Sequence, residues 1–184
     1  MSLNDDEKNL LISFINGDND SYYKIYNIFK DRVFSLIYGI VRNREKTEDL
    51  FQDVFLKLYK NRGKLDHERP LWPYLRKIAV NTTYSSFRKW KKELSIDDIP
   101  EFSNNTNIEK EYGMKDLMNK ILEQLPINQR LVIVLQKFEG YKLEEISREL
   151  GISIKAVESL LSRATKNIVK IYNLIERKNH EKRV

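Results

Sequence analysis

From Arg76 to Lys92 the chain carries six Lys or Arg residues and no Asp or Glu. Within that run Lys77, Asn81, Tyr84 and Arg88 recur at steps of four, three and four, which places them on one face of a helix. Cations, an amide and a phenol ring on one face suit a nucleic-acid strand: the cations hold phosphates and the ring stacks a base. Arg76 adds a further cation at the start of the run. A merely solvated helix face is the plain alternative, but the lack of compensating carboxylates favours nucleic acid. A second set has the opposite sign. Glu48, Asp49, Gln52 and Asp53 lie on the polar side of a helix whose apolar stripe is Leu50, Phe51, Val54, Phe55 and Leu58. Glu48, Asp49 and Asp53 could be drawn as metal ligands, but solvent-facing helix carboxylates are far commoner. A third set, Lys155, Glu158, Ser159, Ser162, Arg163 and Lys166, stands clear of the apolar positions Val157, Leu160, Leu161 and Ala164 in a later helix.

No set has the pattern of a catalytic centre. The two histidines, His67 and His180, are far apart in the chain, and no phosphate-cradling glycine loop or metal-spaced carboxylate cluster is present. Neither a cofactor nor a metal ion is expected. Cysteine is absent, which excludes disulfides and thiolate metal sites and is compatible with a reducing cytoplasm. The opening MSLNDDEKNLLISFI has acidic residues and no long apolar core, so it reads as neither a signal peptide nor a membrane span.

The elements that must position these sets are helices. With 6 Gly and 4 Pro in 184 residues, turn-rich β folds are disfavoured. Leu10, Leu11, Phe14 and Ile15 predict a short helix ending near Gly17. Tyr26, Phe29, Val33, Leu36, Ile37 and Ile40 predict a second over 22–41. Asn43 suits an N-cap for a third, from Arg44 to about Asn61. The segment NRGKLDHERPL then leads to a fourth helix over 72–92, with Pro73 in its first turn and Leu75, Ile78, Ala79 and Thr82 inward. Residues 1–92 are net +6, residues 93–113 net −5 and residues 114–184 net +5. Two basic blocks flanking an acidic, Asn- and Ser-rich connector predict an all-α chain of two small helical domains, 1–92 and 113–178, a linker at 93–112 and a basic tail at 179–184. About 20 extended residues reach up to about 70 Å, against about 34–36 Å for one duplex turn.

In the second domain, Met114, Leu117, Met118, Ile121, Leu122 and Leu125 mark one helix, and Ile127–Phe138 the next, with Leu131, Val134, Leu135 and Phe138 inward. The segment YKLEEISRELGISIKAVESLLSRATKN comes next, from Tyr141 to Asn167. Leu143, Ile146 and Leu150 face inward, Gly151 sits where the backbone must turn at positive φ, and Ser153 suits an N-cap. Ile152 and Val157 form a hydrophobic staple across the cap. Two short helices about such a turn make a helix-turn-helix, whose second helix would offer the third set to a DNA major groove. A helical hairpin with only a packing role is the alternative, but turn, cap and staple agree.

These segments together resemble the sigma-70 family of bacterial RNA polymerase sigma factors. NREKTEDLFQDVFLKLYK is similar to its region 2.2, WPYLRKIAVNTTYSSFRKWKK to regions 2.3 and 2.4, and LEQLPINQRLVIVLQKFEGYKLEEISRELGISIKAVESLLSRA to region 4. Their order resembles the extracytoplasmic-function class, over roughly residues 8–175. The chain departs from the family in its Trp at position 72 ahead of Pro73-Tyr74-Leu75, and in Glu158 and Thr165 where members often carry basic residues. The resemblance implies a cytoplasmic, non-enzymatic initiation factor. Glu48, Asp49, Gln52 and Asp53 would meet the clamp helices of core RNA polymerase, and the second domain its flap. The loop from Asn61 to Leu71 and the face with Asn81 would hold a flipped base and the −10 strand of promoter DNA. The recognition helix would bind the −35 element. A membrane-linked anti-sigma factor is an implied partner. A stand-alone helix-turn-helix regulator is the alternative reading, and a helical interaction module without DNA contact a more distant one.

Overall fold

The computed structural model describes residues 5–93 and 113–181. The expected linker lies, except for Glu93, outside the described residues, as does the end of the expected tail. Among the described residues all regular structure is helical. The chain divides into two compact units, with the break after Lys89.

The first unit holds α1 (Asp5–Ile15), α2 (Asn19–Val41), α3 (Arg44–Lys60) and α4 (Leu71–Glu93) as far as Lys89, with a short 3-10 turn at Arg62–Lys64. Helix α2 starts three residues before the expected position because Asp18 caps it: its carboxylate accepts from the Ser21 N–H at 2.9 Å and the Asp20 N–H at 3.4 Å. The Ser21 N–H in particular holds the Asp18 carboxyl below its usual range. Helix α3 is capped as expected, with Asn43 Oδ1 accepting from the Lys46 N–H at 2.9 Å. Val33, Ile37, Val54, Leu58 and Leu75 are fully enclosed, so α2, α3 and α4 bury their predicted stripes. The buried side of α4 is wider than the period suggested. Val80 and Thr83 are buried as well as Leu75, Ala79 and Thr82, while Ile78 is only half-buried. Phe29 stacks on Trp72 with centroids 6.1 Å apart, and the Arg32 guanidinium lies 3.8 Å from the same ring, fastening the start of α4 to α2.

The second unit holds α5 (Met114–Gln124), α6 (Ile127–Ile133), α7 (Leu143–Leu150) and α8 (Ile154–Glu181). Helix α6 widens into a π turn over Val134–Phe138. That turn corrects one expectation. Leu131, Val134 and Leu135 are buried, but Phe138 is 57% exposed, because a π turn holds one more residue than an α turn and rotates the residues at its end around the axis. Ile121 and Leu122 of α5 and Leu125 just after it pack with Ile133, Ala164, Ile171 and Ile175, so α8 supplies much of this core. Gln129 Oε1 accepts from Asn167 Nδ2 at 2.8 Å, tying α6 to α8.

The turn between α7 and α8 has the expected form. Gly151 has φ +64°, the Ser153 hydroxyl accepts from the Ala156 N–H at 3.2 Å, and Ser147 Oγ donates to the Ile152 carbonyl at 2.6 Å. A Cβ at Gly151 would meet nothing within 4 Å, so the cost of substitution is conformational alone. Gly151→Ala is expected to destabilise the second unit by about 1 kcal/mol and Gly151→Asn by less, measured by urea denaturation. Equal stability of the Ala variant and the wild type would refute the left-handed requirement.

Candidate nucleic-acid interface

On α4, Lys77 and Arg88 are exposed and Asn81 and Tyr84 half-buried, and the four fall within a narrow arc of the helix. The buried residues Leu75, Ala79 and Thr82 occupy the other side and so aim this arc outward. Arg76 is not brought into it. It lies roughly 100° around the helix from Lys77, is half-buried, and has its Nε shielded from solvent. Thr82 accepts a hydrogen bond from Lys57 Nζ at 2.9 Å, which draws an α3 cation against α4.

The segment between α3 and α4 is held by contacts to α3 and α1 as well as within itself. Asn61 Nδ2 donates to the Lys57 carbonyl at 2.9 Å, and Arg62 lies over the Tyr59 ring at 4.4 Å. Asp66 accepts from the Glu68 N–H at 3.0 Å and pairs with Arg69 at 3.1 Å. Lys8 of α1 forms an ion pair with Glu68 and holds that carboxyl below its usual range. Sequence reading did not find this link between α1 and the loop, since the two residues are 60 positions apart and neither belongs to a periodic pattern.

All four predicted residues of the acidic face of α3 are exposed. Glu48 is engaged by Arg44 Nε at 2.9 Å, whereas Asp49, Gln52 and Asp53 make no side-chain hydrogen bond or ion pair among the described residues. Leu56 belongs with them and was missed. It is 49% exposed and stands one turn beyond Gln52 and Asp53. Its signal was available in the sequence, as a leucine outside the apolar stripe of its helix.

On α8, Lys155, Glu158, Ser162, Arg163 and Lys166 are exposed and Ser159 half-buried, opposite the fully enclosed Val157 and Ala164. Leu160 and Leu161 are half-buried at the margins. Arg163 Nη2 donates to Ser159 Oγ at 2.8 Å, and Thr165 Oγ1 donates to the Leu161 carbonyl. Ile154, unassigned from sequence, is 41% exposed in the first turn. No group of His, Asp and Glu among the described residues could hold a metal ion, and none of the described helices is long and apolar enough to cross a membrane.

Known proteins share this arrangement. Sigma-70 region 2 matches residues 25–93 and Sigma-70 region 4 matches residues 115–168. The ECF RNA polymerase sigma factor SigW of Bacillus subtilis is 28% identical over 161 residues, covering 80% of this chain and 86% of SigW. The ECF RNA polymerase sigma factor SigM of the same organism is 26% identical over 154 residues, covering 82% of this chain and 94% of SigM. In solved structures the fold is similar to CnrH in complex with the cytosolic domain of CnrY, with TM-score 0.58 and 20% identity over 92% of this chain and 99% of that one. It is also similar to the sigma factor RpoE of Bartonella quintana in complex with the anti-sigma factor NepR, with TM-score 0.59 and 22% identity over 83% of this chain and 96% of that one. A two-unit helical chain with a region 2 and a region 4 in that order is a transcription initiation factor. The chain belongs to the sigma-70 family, in its extracytoplasmic-function subfamily, and directs core RNA polymerase to promoters.

Proposed function

We propose that the chain divides promoter opening among three surfaces. The outward arc Lys77, Asn81, Tyr84 and Arg88 on α4 holds the separated −10 strand, with Arg76 adding positive charge to the same run. The single observation that carries this is the segregation on α4, where cations and a ring occupy one face and no carboxylate interrupts the run. The loop from Asn61 to Leu71 receives an extruded base, and its internal hydrogen bonds preform it for that role. The exposed side of α8, Lys155, Glu158, Ser159, Ser162, Arg163 and Lys166, meets the −35 element. Residues 1–92 and 113–178 act as the two domains, joined by the acidic segment 93–112, with 179–184 as a tail.

Sigma factors break no covalent bond, and no catalytic step is proposed for this chain. Binding energy is converted into strand separation: a stacked base contributes about 1–3 kcal/mol, which offsets an unstacking cost of a few kcal/mol. The site of action is the cytoplasm. The complexes of CnrH with CnrY and of RpoE with NepR support an anti-sigma factor as partner. The test is transcription in vitro with core polymerase on genomic DNA, followed by mapping of start sites. A common −35 and −10 pair upstream of the starts supports the reading. Tight sequence-specific binding by the isolated chain at physiological salt would instead favour a stand-alone regulator.

A fourth surface, the acidic side of α3, docks on the clamp helices of the polymerase. Because Arg44 already occupies Glu48, the open carboxylates are Asp49 and Asp53, beside Gln52 and the exposed Leu56. Asp49→Lys with Asp53→Lys is expected to weaken core binding about tenfold or more at low salt, and the defect should shrink as salt rises. Its melting temperature should match the wild type, since neither side chain is buried. Undiminished competition for core polymerase would remove the docking role.

A further inference from the structure

We propose that the first two turns of α8 read two bases. Glu158 accepts a hydrogen bond from the N4 amine of a cytosine, and Ile154 packs on the C5 methyl of a thymine one or two base pairs away. This rests on the reading of α8 as the major-groove helix. Thr165 Oγ1 donates to the Leu161 carbonyl, and one Arg163 nitrogen, Nη2, donates to Ser159 Oγ within the helix. Lys155, Glu158, Ser162 and Lys166 make no side-chain hydrogen bond or ion pair among the described residues. Glu158 is thus an exposed, uncommitted carboxylate on a helix whose neighbouring cations, Lys155 one turn before it and Lys166 two turns after it, suit a polyanion.

A carboxylate only accepts hydrogen bonds. In the major groove cytosine presents the N4 donor, guanine presents the acceptors N7 and O6, thymine presents the acceptor O4, and adenine sets a donor beside the acceptor N7. Glu158 therefore gains a charge-assisted bond from cytosine and is left desolvated against acceptors at guanine or thymine. Discrimination comes as much from the rejected bases as from the accepted one. Ile154 stands one turn before Glu158 on the same flank. Its 41% exposure is unneeded by a core already closed by Val157 and Ala164. The apolar feature of the groove is the thymine methyl. A separation of four residues is about 6 Å of helix, or one to two base steps of about 3.4 Å.

The experiment uses the full chain with core polymerase and a promoter library randomised across the −35 element. Wild type is expected to prefer cytosine at one position by roughly tenfold. Glu158→Gln, which pairs two-pronged with adenine, should move that preference from cytosine to adenine and leave the other positions unchanged. Replacing thymines by deoxyuridine one at a time should reduce wild-type output about threefold at one position, whereas Ile154→Ala should transcribe both templates equally. If −35 dependence persists but the preferences of Glu158→Gln match the wild type, Glu158 reads no base. If uracil is tolerated everywhere by the wild type, Ile154 reads no methyl. Loss of all −35 dependence in the wild type would overturn the placement of α8 itself together with this inference.

Discussion

Val157→Asp abolishes the fold of the second unit and all −35-dependent transcription with it. Val157 is fully enclosed beneath the first turns of α8. An aspartate there either remains charged in an apolar site or binds a proton, and burial without a partner costs roughly 4 kcal/mol or more. A unit of about 70 residues has only about 3–10 kcal/mol in total. The contrast lies on the other side of the same helix. Lys155→Ala and Arg163→Ala remove exposed side chains, and the Arg163–Ser159 hydrogen bond is too exposed to hold the fold. Both should melt like the wild type and still lose activity on promoters that need a −35 element. Circular dichroism and transcription on promoters with and without that element check the pair. A folded, active Val157→Asp protein, or wild-type activity indifferent to the element, would refute the division of α8 into a buried and a reading side.

Tyr84→Ala with Asn81→Ala should leave closed-complex formation nearly intact at low temperature and lower open-complex formation about tenfold or more. The stacking lost is worth about 1–3 kcal/mol per base, and it counts only once the strands have parted. A template already mismatched across the −10 region no longer requires unpairing and should restore much of the transcription. Arg88→Ala should differ, because a phosphate contact serves any strand. Its removal should lower the salt slope by roughly 0.7–0.9, and the mismatch should rescue it less. The decisive quantity is the mutant-to-wild-type ratio on duplex and pre-opened templates. An equal ratio on both would mean that Tyr84 and Asn81 do not stabilise the melted state.

What the sequence made legible was what local chemistry determines. Asn43, Gly151 and Ser153 act within a few residues of themselves, so cap and turn could be read directly and appear in the structure with the expected bonds. The apolar stripes of α2 and α3 were equally plain, because steps of three and four survive any detail of packing. The misses have physical causes. Asp18 was passed over as a cap because the apolar period of α2 begins only after it. Phe138 keeps the helical period in sequence, but the π turn breaks that period in space. Of the site, the three charged sets were visible from sign and spacing. Invisible were the pairings that decide which members remain open, Arg44 on Glu48 and Ser159 on Arg163, and the link of Lys8 to Glu68.

Helix α8 is continuous from Ile154 to Glu181. Its length is about 42 Å, and one end carries the proposed reading surface while Ile171 and Ile175 further along are core. The reading surface therefore has no hinge of its own. Its buried side is held by Val157 and Ala164 and its start by the capped turn from α7, so it meets DNA as one rigid stamp and cannot re-aim by local fraying. Such a stamp gains affinity by losing little entropy on contact, but it transmits misfit: a wrong base under one residue tilts its neighbours too. Mismatch penalties at adjacent −35 positions should then be non-additive, each depending on its neighbour, where a flexible reading loop would give nearly independent ones.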